Sequence, residues 1–217
     1  MRTTSRLSTK LVLGAGAAAL MFPLAACSSD DADAADKPTP VAQVDHLTGK
    51  STAVILDPGF VKALTSLKVA PGVVGDATLA NGAVSFPITG GNVTYYQPGS
   101  IDPYVQGLIE HHGSGLSLTA GGVEVDLTDF EIDPGTSKLY GDVSVDGKSA
   151  ATHAFIFQLD GSTLQHLQTG PNDTAILEGT KVEVSGDAAD LLNKTFGTTG
   201  VTEGLLVGTA KIAINTK

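Results

Sequence analysis

Histidine is the chemically most distinctive residue type in this sequence. His111 and His112 are adjacent in a glycine-rich segment, Gly107-Leu-Ile-Glu-His-His-Gly-Ser-Gly115. Successive side chains of a β-strand point to opposite faces, so the two imidazoles are not expected to bind one ion together. At most one of them faces a pocket, as an axial metal ligand or a hydrogen-bond partner. The structural alternative is a histidine pair on the surface or at a strand end.

Two adjacent tyrosines are the natural companions of these histidines. Tyr95 and Tyr96 lie in a short segment with strand character, and a tyrosine phenolate can ligate ferric haem iron. Ordinary strand aromatics, one pointing inward and one outward, are the alternative interpretation. The candidate ligand-binding residues are therefore His112, His111, Tyr95 and Tyr96, and no metal-binding set can be named.

Catalytic signatures are missing from the sequence. There is no Gly-x-Ser-x-Gly elbow and no His-Glu-x-x-His motif, and Gly113-Ser114-Gly115 lacks the strand–turn–helix context of an exposed nucleophile. Clustered carboxylates could bind Ca²⁺, but their spacing is not that of an EF-hand, and they fit a solvated strand face better. That acidic run comprises Glu124, Asp126, Asp129, Glu131 and Asp133.

Two segments share a strand–helix pattern. An alternating run from Thr52 meets Asp57 and then a short helix, and a second run from Thr180 meets Ser185 and then another. Asp and Ser are favoured N-caps, and Gly197 is a plausible C-cap for the second helix. Each helix is followed by a glycine-containing loop and a further strand, so the same unit is predicted on either side of the middle of the domain.

The middle of the chain is predicted to form antiparallel strands. Segments 115–119 and 123–127 alternate around Ala120-Gly121-Gly122, which is a hairpin signal. The apolar phase slips after Leu127, and a β-bulge near Thr128 or Asp129 would restore it. The prediction is a mainly β fold, an antiparallel β-sandwich or barrel of about ten strands with two short edge helices.

The N-terminus is predicted to be a lipoprotein signal peptide spanning residues 1–26. A basic start is followed by about twelve mostly apolar residues and by Leu24-Ala-Ala-Cys27. Cys27 is the only cysteine, so we expect lipidation there and an anchor on the outer face of the cytoplasmic membrane. Residues 27–40 are polar, acidic and proline-ended and are expected to be a disordered tether to a single domain at 41–217.

Charge excludes several classes of function. Both arginines and one lysine lie in the predicted signal peptide, which leaves ten lysines against 23 acidic residues. The formal net charge is −10 for the whole sequence, and the predicted mature chain is more acidic still. Such a chain repels nucleic acid, and without arginine it lacks the usual bidentate clamp for phosphate.

Three stretches resemble the HtaA-type haem-binding and uptake domain of actinobacterial surface proteins. They are Phe86-Pro-Ile-Thr-Gly-Gly91, the His112–Leu116 hairpin start, and the Asp133–Val143 strand, within a region from Ala83 to about Leu159. The resemblance implies a β-rich fold with short helices and a haem-binding role. In that family a first-helix tyrosine ligates the iron. Here the helix reads Phe60-Val-Lys-Ala-Leu64, without tyrosine, and only His112 matches a family position.

The sequence therefore supports a non-enzymatic, membrane-anchored binding domain, with haem as the first ligand candidate. One alternative is a structural or adhesive envelope protein that binds other proteins or cell-wall polymer. The other is a secreted hydrolase with an unrecognised site. Haem binding predicts an apolar cleft that contains His112 or a tyrosine. Adhesion predicts an exposed apolar patch, and hydrolysis predicts a buried Ser–His–acid contact.

Overall fold

The computed structural model describes residues 38–217, which form one compact unit. The predicted signal peptide, Cys27 and all but the last three residues of the predicted tether lie outside the described residues. The described part of the chain contains no helix long and apolar enough to cross a membrane.

Antiparallel strands dominate the described residues. Thirteen strands and two α-helices follow one another as β1 (Ala42–Val44), β2 (Lys50–Leu56), α1 (Pro58–Leu67), β3 (Ala70–Gly75), β4 (Thr78–Ala80), β5 (Ala83–Pro87), β6 (Gly90–Tyr95), β7 (Val105–Ala120), β8 (Val123–Asp133), β9 (Lys138–Val145), β10 (Lys148–Asp160), β11 (Gln168–Gly170), β12 (Thr174–Val184), α2 (Gly186–Phe196) and β13 (Leu206–Asn215). A 3₁₀ turn, Gly161–Thr163, follows β10. The mainly β prediction is confirmed. The structure has more strands than the ten or so predicted, because β1, β4 and β11 have only three residues each and are too short to show an alternating pattern.

All strands belong to one sheet that curls into a half-barrel. Its order is β1-β6-β7-β8-β9-β10-β12-β13-β2-β5-β4, with β3 on β7 and β11 on β12. The junction between β5 and β6 joins the two sides of the curled sheet. Ile88 N–H donates to Lys50 O at the start of β2, and Thr89 N–H donates to Glu110 O in β7, both at 2.8 Å. The curled sheet therefore encloses an interior lined by one face of its strands.

The two predicted strand–helix units lie side by side in the fold. β13 pairs antiparallel with both β2 and β12, so the two strands run parallel to each other and their helices leave from the same end. The predicted caps are confirmed: the Asp57 carboxylate accepts from Gly59 N–H at 2.7 Å, the Ser185 hydroxyl accepts from Ala188 N–H at 3.1 Å, and Gly197 ends α2 with φ +64°. Both helices contribute apolar side chains to that end of the interior.

The predicted bulge is also present, and it matters for the interior. The β8–β9 register shifts between Thr128 and Glu131, with Asp129 at φ +52°. The β7–β8 register shifts in the same place, between His111 and Gly115. The two shifts keep apolar side chains on the inner face along both strands, although the phase of the sequence slips. His111 precedes the shift in β7 and lies on the inner face by simple alternation with Val105 and Ile109.

Candidate functional site

A cavity of about 330 Å³ lies inside the half-barrel. Pockets that hold small ligands start at roughly 300 Å³ and are mostly apolar with a few placed polar groups. Eight strands form its wall: β2, β5, β7, β8, β9, β10, β12 and β13. Its polar lining side chains are few, namely Thr52, Asp102, Tyr104, His111, Ser137, Ser162 and Thr180. The cavity therefore has the size and polarity of a site for a small apolar molecule.

The cavity opens at one end of the barrel. Asp102, Gly161 and Ser162 line it and are exposed, whereas its strand residues are buried or half-buried. We call this opening the mouth: it is formed by the 102–104 segment, the 134–137 turn and the 161–164 segment. At the other end a smaller cavity of about 50 Å³ lies under α1 and α2 and shares lining residues with the main one. The helices thus close the base, and ligands must enter through the mouth.

His111 is, with Thr52, one of the two buried polar residues of this wall. It is 1% exposed and makes two hydrogen bonds, with Nδ1 at 3.2 Å from Phe130 O and Nε2 at 2.8 Å from Thr52 Oγ1. A carbonyl oxygen can only accept, so in the neutral ring Nδ1 carries the proton and Nε2 accepts from the Thr52 hydroxyl. In this tautomer the basic nitrogen at the cavity wall is Nε2, whose lone pair accepts from the Thr52 hydroxyl.

Burial keeps this imidazole uncharged. Desolvation is the largest cause and lowers the pKa of His111 to about 4, against the smaller opposing effect of the Phe130 carbonyl. A buried ring loses the hydration of its charged form and therefore releases its proton more easily. Metal-ligating histidines characteristically donate their second ring N–H to a carbonyl or carboxylate, which fixes the ring. His111 has that arrangement, but its Nε2 becomes available only if the Thr52 hydroxyl turns away.

Aromatic rings surround the histidine. Phe86 lies edge-on to His111 at 6.4 Å between ring centroids and edge-on to Phe130 at 5.2 Å. Phe130 in turn contacts Phe157 at 6.2 Å. All four rings line the cavity. Aromatic rings pack favourably against other aromatic rings in edge-to-face or offset-stacked arrangements. The wall is suited to contact with an apolar or aromatic ligand body.

His112, the histidine that matches the family position, lies on the outer face of the sheet. Its side chain is 53% exposed and lies 3.7 Å from Glu110 Oε2 and 3.8 Å from Asp129 Oδ1. It does not line the cavity. The alternation of β7 thus separates the two adjacent histidines, and of the pair it is His111 that faces the apolar interior.

The two candidate tyrosines do not join His111 either. Tyr95 is buried against a separate cavity of about 60 Å³ beneath β1, where its ring packs edge-on to Tyr104 at 5.6 Å. Tyr96 is half-buried. The tyrosine that does line the main cavity is Tyr104, and burial, followed by the nearby Tyr95, raises the pKa of its phenol. A neutral phenol is therefore present near the mouth.

Sequence reasoning did not select Thr52, Phe86 or Phe130, which contact His111. The alternation of β2 carried a signal for Thr52, since this residue shares its parity with the inward Val54 and Leu56. No sequence signal indicated which histidine it would meet, because the two are 59 positions apart.

The outer face carries another histidine, His153, which contacts an aromatic ring and a carboxylate. His153 stacks on Tyr140 with 4.4 Å between ring centroids, and its Nε2 lies 3.2 Å from Glu131 Oε2. Within residues 38–217 no group of three or more histidine, cysteine, aspartate or glutamate side chains is placed to hold a metal ion. The rings of His111, His112 and His153 contact threonine, carbonyl or carboxylate oxygens, and none of these three is bonded to a serine hydroxyl.

Five exposed large apolar side chains are spread over four elements and the residue before β1. Val41, Ile55, Val61, Val73 and Leu79 are between 38% and 58% exposed. They lie just before β1 and in β2, α1, β3 and β4. Single exposed apolar residues are normal on protein surfaces.

One solved structure shows the same fold at a TM-score of 0.53. It is the C-terminal domain of HtaA from Corynebacterium glutamicum, 16% identical, and the match covers 78% of this chain and 97% of that one. This chain shares its fold with the HtaA C-terminal domain. A domain-swapped dimer of the H434A variant of the same HtaA domain (17% identity) and the haem-binding protein HtaB from the same organism (9% identity) match with a TM-score of 0.47 each. These two matches cover 72% and 80% of this chain, and 90% and 96% of theirs.

No family model and no curated protein sequence matches the chain. The resemblance of the three sequence stretches to an HtaA-type domain is therefore supported by structure, at the level of the fold. Since the identity is low, the site must be judged from this chain's own residues.

Proposed function

We propose that this chain is a non-enzymatic binding domain that holds a small apolar ligand, with haem as the first candidate, inside the half-barrel. The observation that carries the proposal is the cavity of about 330 Å³ with the uncharged His111 at its wall. An apolar cavity with a few placed polar groups is the usual form of a small-molecule site. Haem is suggested by the resemblance of the sequence to an HtaA-type haem-binding domain, and the chain shares its fold with the HtaA C-terminal domain.

In a haem complex the protein's contribution would be made by a few side chains. His111 would offer Nε2 to the iron after Thr52 turns away, while the Phe130 carbonyl holds the other ring nitrogen. The aromatic wall would pack on the macrocycle. The first-helix position that carries a tyrosine ligand in the family holds no tyrosine here. Tyr104 lines the cavity, but burial raises the pKa of its phenol and keeps it neutral, so we take His111 as the ligand that this cavity offers.

A haemin titration of residues 38–217 tests this proposal. We expect a saturable shift of the Soret band in the parent domain, and at least tenfold weaker binding in His111→Ala. His112→Ala is the matched control, since it removes the neighbouring imidazole from the outer face and should leave binding unchanged. Equal binding by all three proteins would place the ligand outside the cavity, and no Soret shift in the parent would rule out haem.

We also propose that Cys27 carries a lipid that anchors the domain to the outer face of the cytoplasmic membrane. The support is the sequence pattern Leu24-Ala-Ala-Cys27 after an apolar stretch. Mass spectrometry of the membrane-extracted protein should show a diacylglyceryl adduct on an N-terminal peptide that begins at Cys27. Cys27→Ser should lose the adduct and appear in the soluble fraction, whereas an unmodified Cys27 in the membrane fraction would contradict the assignment.

A further inference from the structure

The charged side chain that lines the cavity is a carboxylate. Asp102 lines the mouth and is exposed. Asp133 directly precedes the 134–137 turn, and Asp160 directly precedes the 161–164 segment. No lysine lines the cavity, and arginine does not occur among residues 38–217. A ligand that enters the mouth therefore meets the Asp102 carboxylate and no cation within the cavity lining.

Two lysines directly follow lining residues in the sequence, but neither of them lines the cavity. Lys138 follows the lining residue Ser137, but its Nζ lies 4.8 Å from the centroid of the Phe155 ring. Lys181 follows the lining residue Thr180, but its Nζ is 2.9 Å from Asp160 Oδ2. Both ammonium groups are therefore engaged with neighbours of their own.

The backbone donors at the mouth are also occupied. Asp133 Oδ1 accepts from Thr136 N–H at 3.1 Å, and Asp160 Oδ1 accepts from Ser162 N–H at 2.8 Å. Free N–H groups at such turns could bind an anion. Here the carboxylates of the chain itself fill that role, and the Lys181 ammonium and Ser162 hold the pKa of Asp160 at about 2, so that group stays ionised.

From these contacts we infer that the cavity binds uncharged apolar ligands more tightly than anions of the same shape. The inference rests on the proposed function, because it names the ligand chemistry that the same cavity accepts. An anionic group inside the apolar wall would be desolvated without a partner, and at the mouth it would face carboxylates. A ligand such as haem, which carries two carboxylates, is accordingly expected to bind less tightly than its neutral dimethyl ester.

Two dyes with nearly the same aromatic body test the selectivity directly. N-phenyl-1-naphthylamine is uncharged, and 8-anilinonaphthalene-1-sulfonate adds one sulfonate to it. In fluorescence titrations of residues 38–217 at low salt we expect the neutral dye to bind at least tenfold more tightly. Equal affinity, or preference for the sulfonate, would overturn the inference while leaving a ligand-binding cavity in place.

Charge substitutions at the mouth should shift this ratio predictably. Ser162→Arg places a cation on the lining and should raise the affinity for the sulfonate dye, relative to that for the neutral dye, about tenfold. Asp102→Asn should raise it about two- to threefold, because exposed charges are screened by solvent and salt. Ser66→Arg on α1 and Asp190→Asn on α2 are the exposed controls, and they should leave the ratio unchanged.

The outcomes separate this inference from the proposed function. If neither dye binds and haemin gives no Soret shift, both fail together. If haemin and its dimethyl ester both bind through His111 but with equal affinity, and Ser162→Arg changes nothing, ligand binding stands and the selectivity is wrong.

Discussion

His111 and His112 are neighbours in sequence and opposites in structure. His111 is 1% exposed on the inner face of the half-barrel, with both ring nitrogens bonded to uncharged groups. The side chain of His112 is 53% exposed on the outer face between two carboxylates. Two adjacent residues of the same type thus lie in different environments: one in an apolar wall, the other on an acidic, solvated surface.

The difference shows that strand alternation decides the chemistry. On the inner face the low polarity lowers the pKa of the imidazole and leaves a neutral nitrogen beside the cavity. On the outer face the ring lies in solvent near Glu110 and Asp129, where an ion pair contributes little to stability. We therefore expect substitutions of His111 and His112 to have different effects on the stability of the protein.

The largest effect should appear in the pH dependence of stability. The pKa of His111 is lowered to about 4 in the folded state and returns to its ordinary value on unfolding. Between about pH 6.5 and pH 4 the unfolded chain therefore binds a proton that the folded chain does not. This group alone should lower the free energy of unfolding by about 3 kcal/mol as pH falls through that window.

Chemical denaturation at several pH values checks this prediction. His111→Gln replaces the ring with a group that does not titrate, so the stability of the variant should fall less between pH 7 and pH 4 than that of the parent. His112→Gln should follow the parent curve. If His111→Gln retained the full slope, the buried ring would not be the source of it.

Thr52 should have the next largest effect. Its hydroxyl donates to Nε2 of His111 at 2.8 Å inside the wall. Thr52→Val keeps the shape and leaves that nitrogen unpaired, which should lower the free energy of unfolding by about 1–2 kcal/mol. The control is Thr180→Val, since Thr180 also lines the cavity but is not a hydrogen-bond partner of His111. Equal losses in the two variants would show that the hydrogen bond is not responsible.

Substitution of His153 should give the smallest effect. His153 stacks on Tyr140 and contacts Glu131, but its side chain is 61% exposed. His153→Ala should change the free energy of unfolding by less than about 1 kcal/mol and leave haemin affinity unchanged. A loss of haemin affinity in this variant would move the binding site to the outer face.

Much of the fold could be predicted because its signals are local. The capping residues Asp57 and Ser185, the 120–122 hairpin and the phase slip after Leu127 each specify an element within a few residues. All of these elements are present in the structure. Three-residue strands such as β4 carry no such signal, because pairing with a neighbouring strand, rather than an alternating pattern, defines them.

The candidate site was less accessible to sequence reasoning. Alternation indicated that only one of His111 and His112 faces a pocket. Which of them does so depends on the register of β7 with β6 and β8, and this register is set by long-range pairing. The contact between His111 and Thr52 likewise depends on the closure of the sheet. These facts are tertiary, and a single sequence does not contain them locally.

We propose that the ligand enters the interior of the half-barrel, and a larger side chain placed inside the cavity should therefore block binding. Ala210 is 5% exposed and lines the cavity from β13, whereas Ala213 on the same strand does not line it. In haemin titrations, Ala210→Phe should reduce affinity at least tenfold with an unchanged circular dichroism spectrum, and Ala213→Phe should bind like the parent. Full haemin affinity in a folded Ala210→Phe protein would contradict the account.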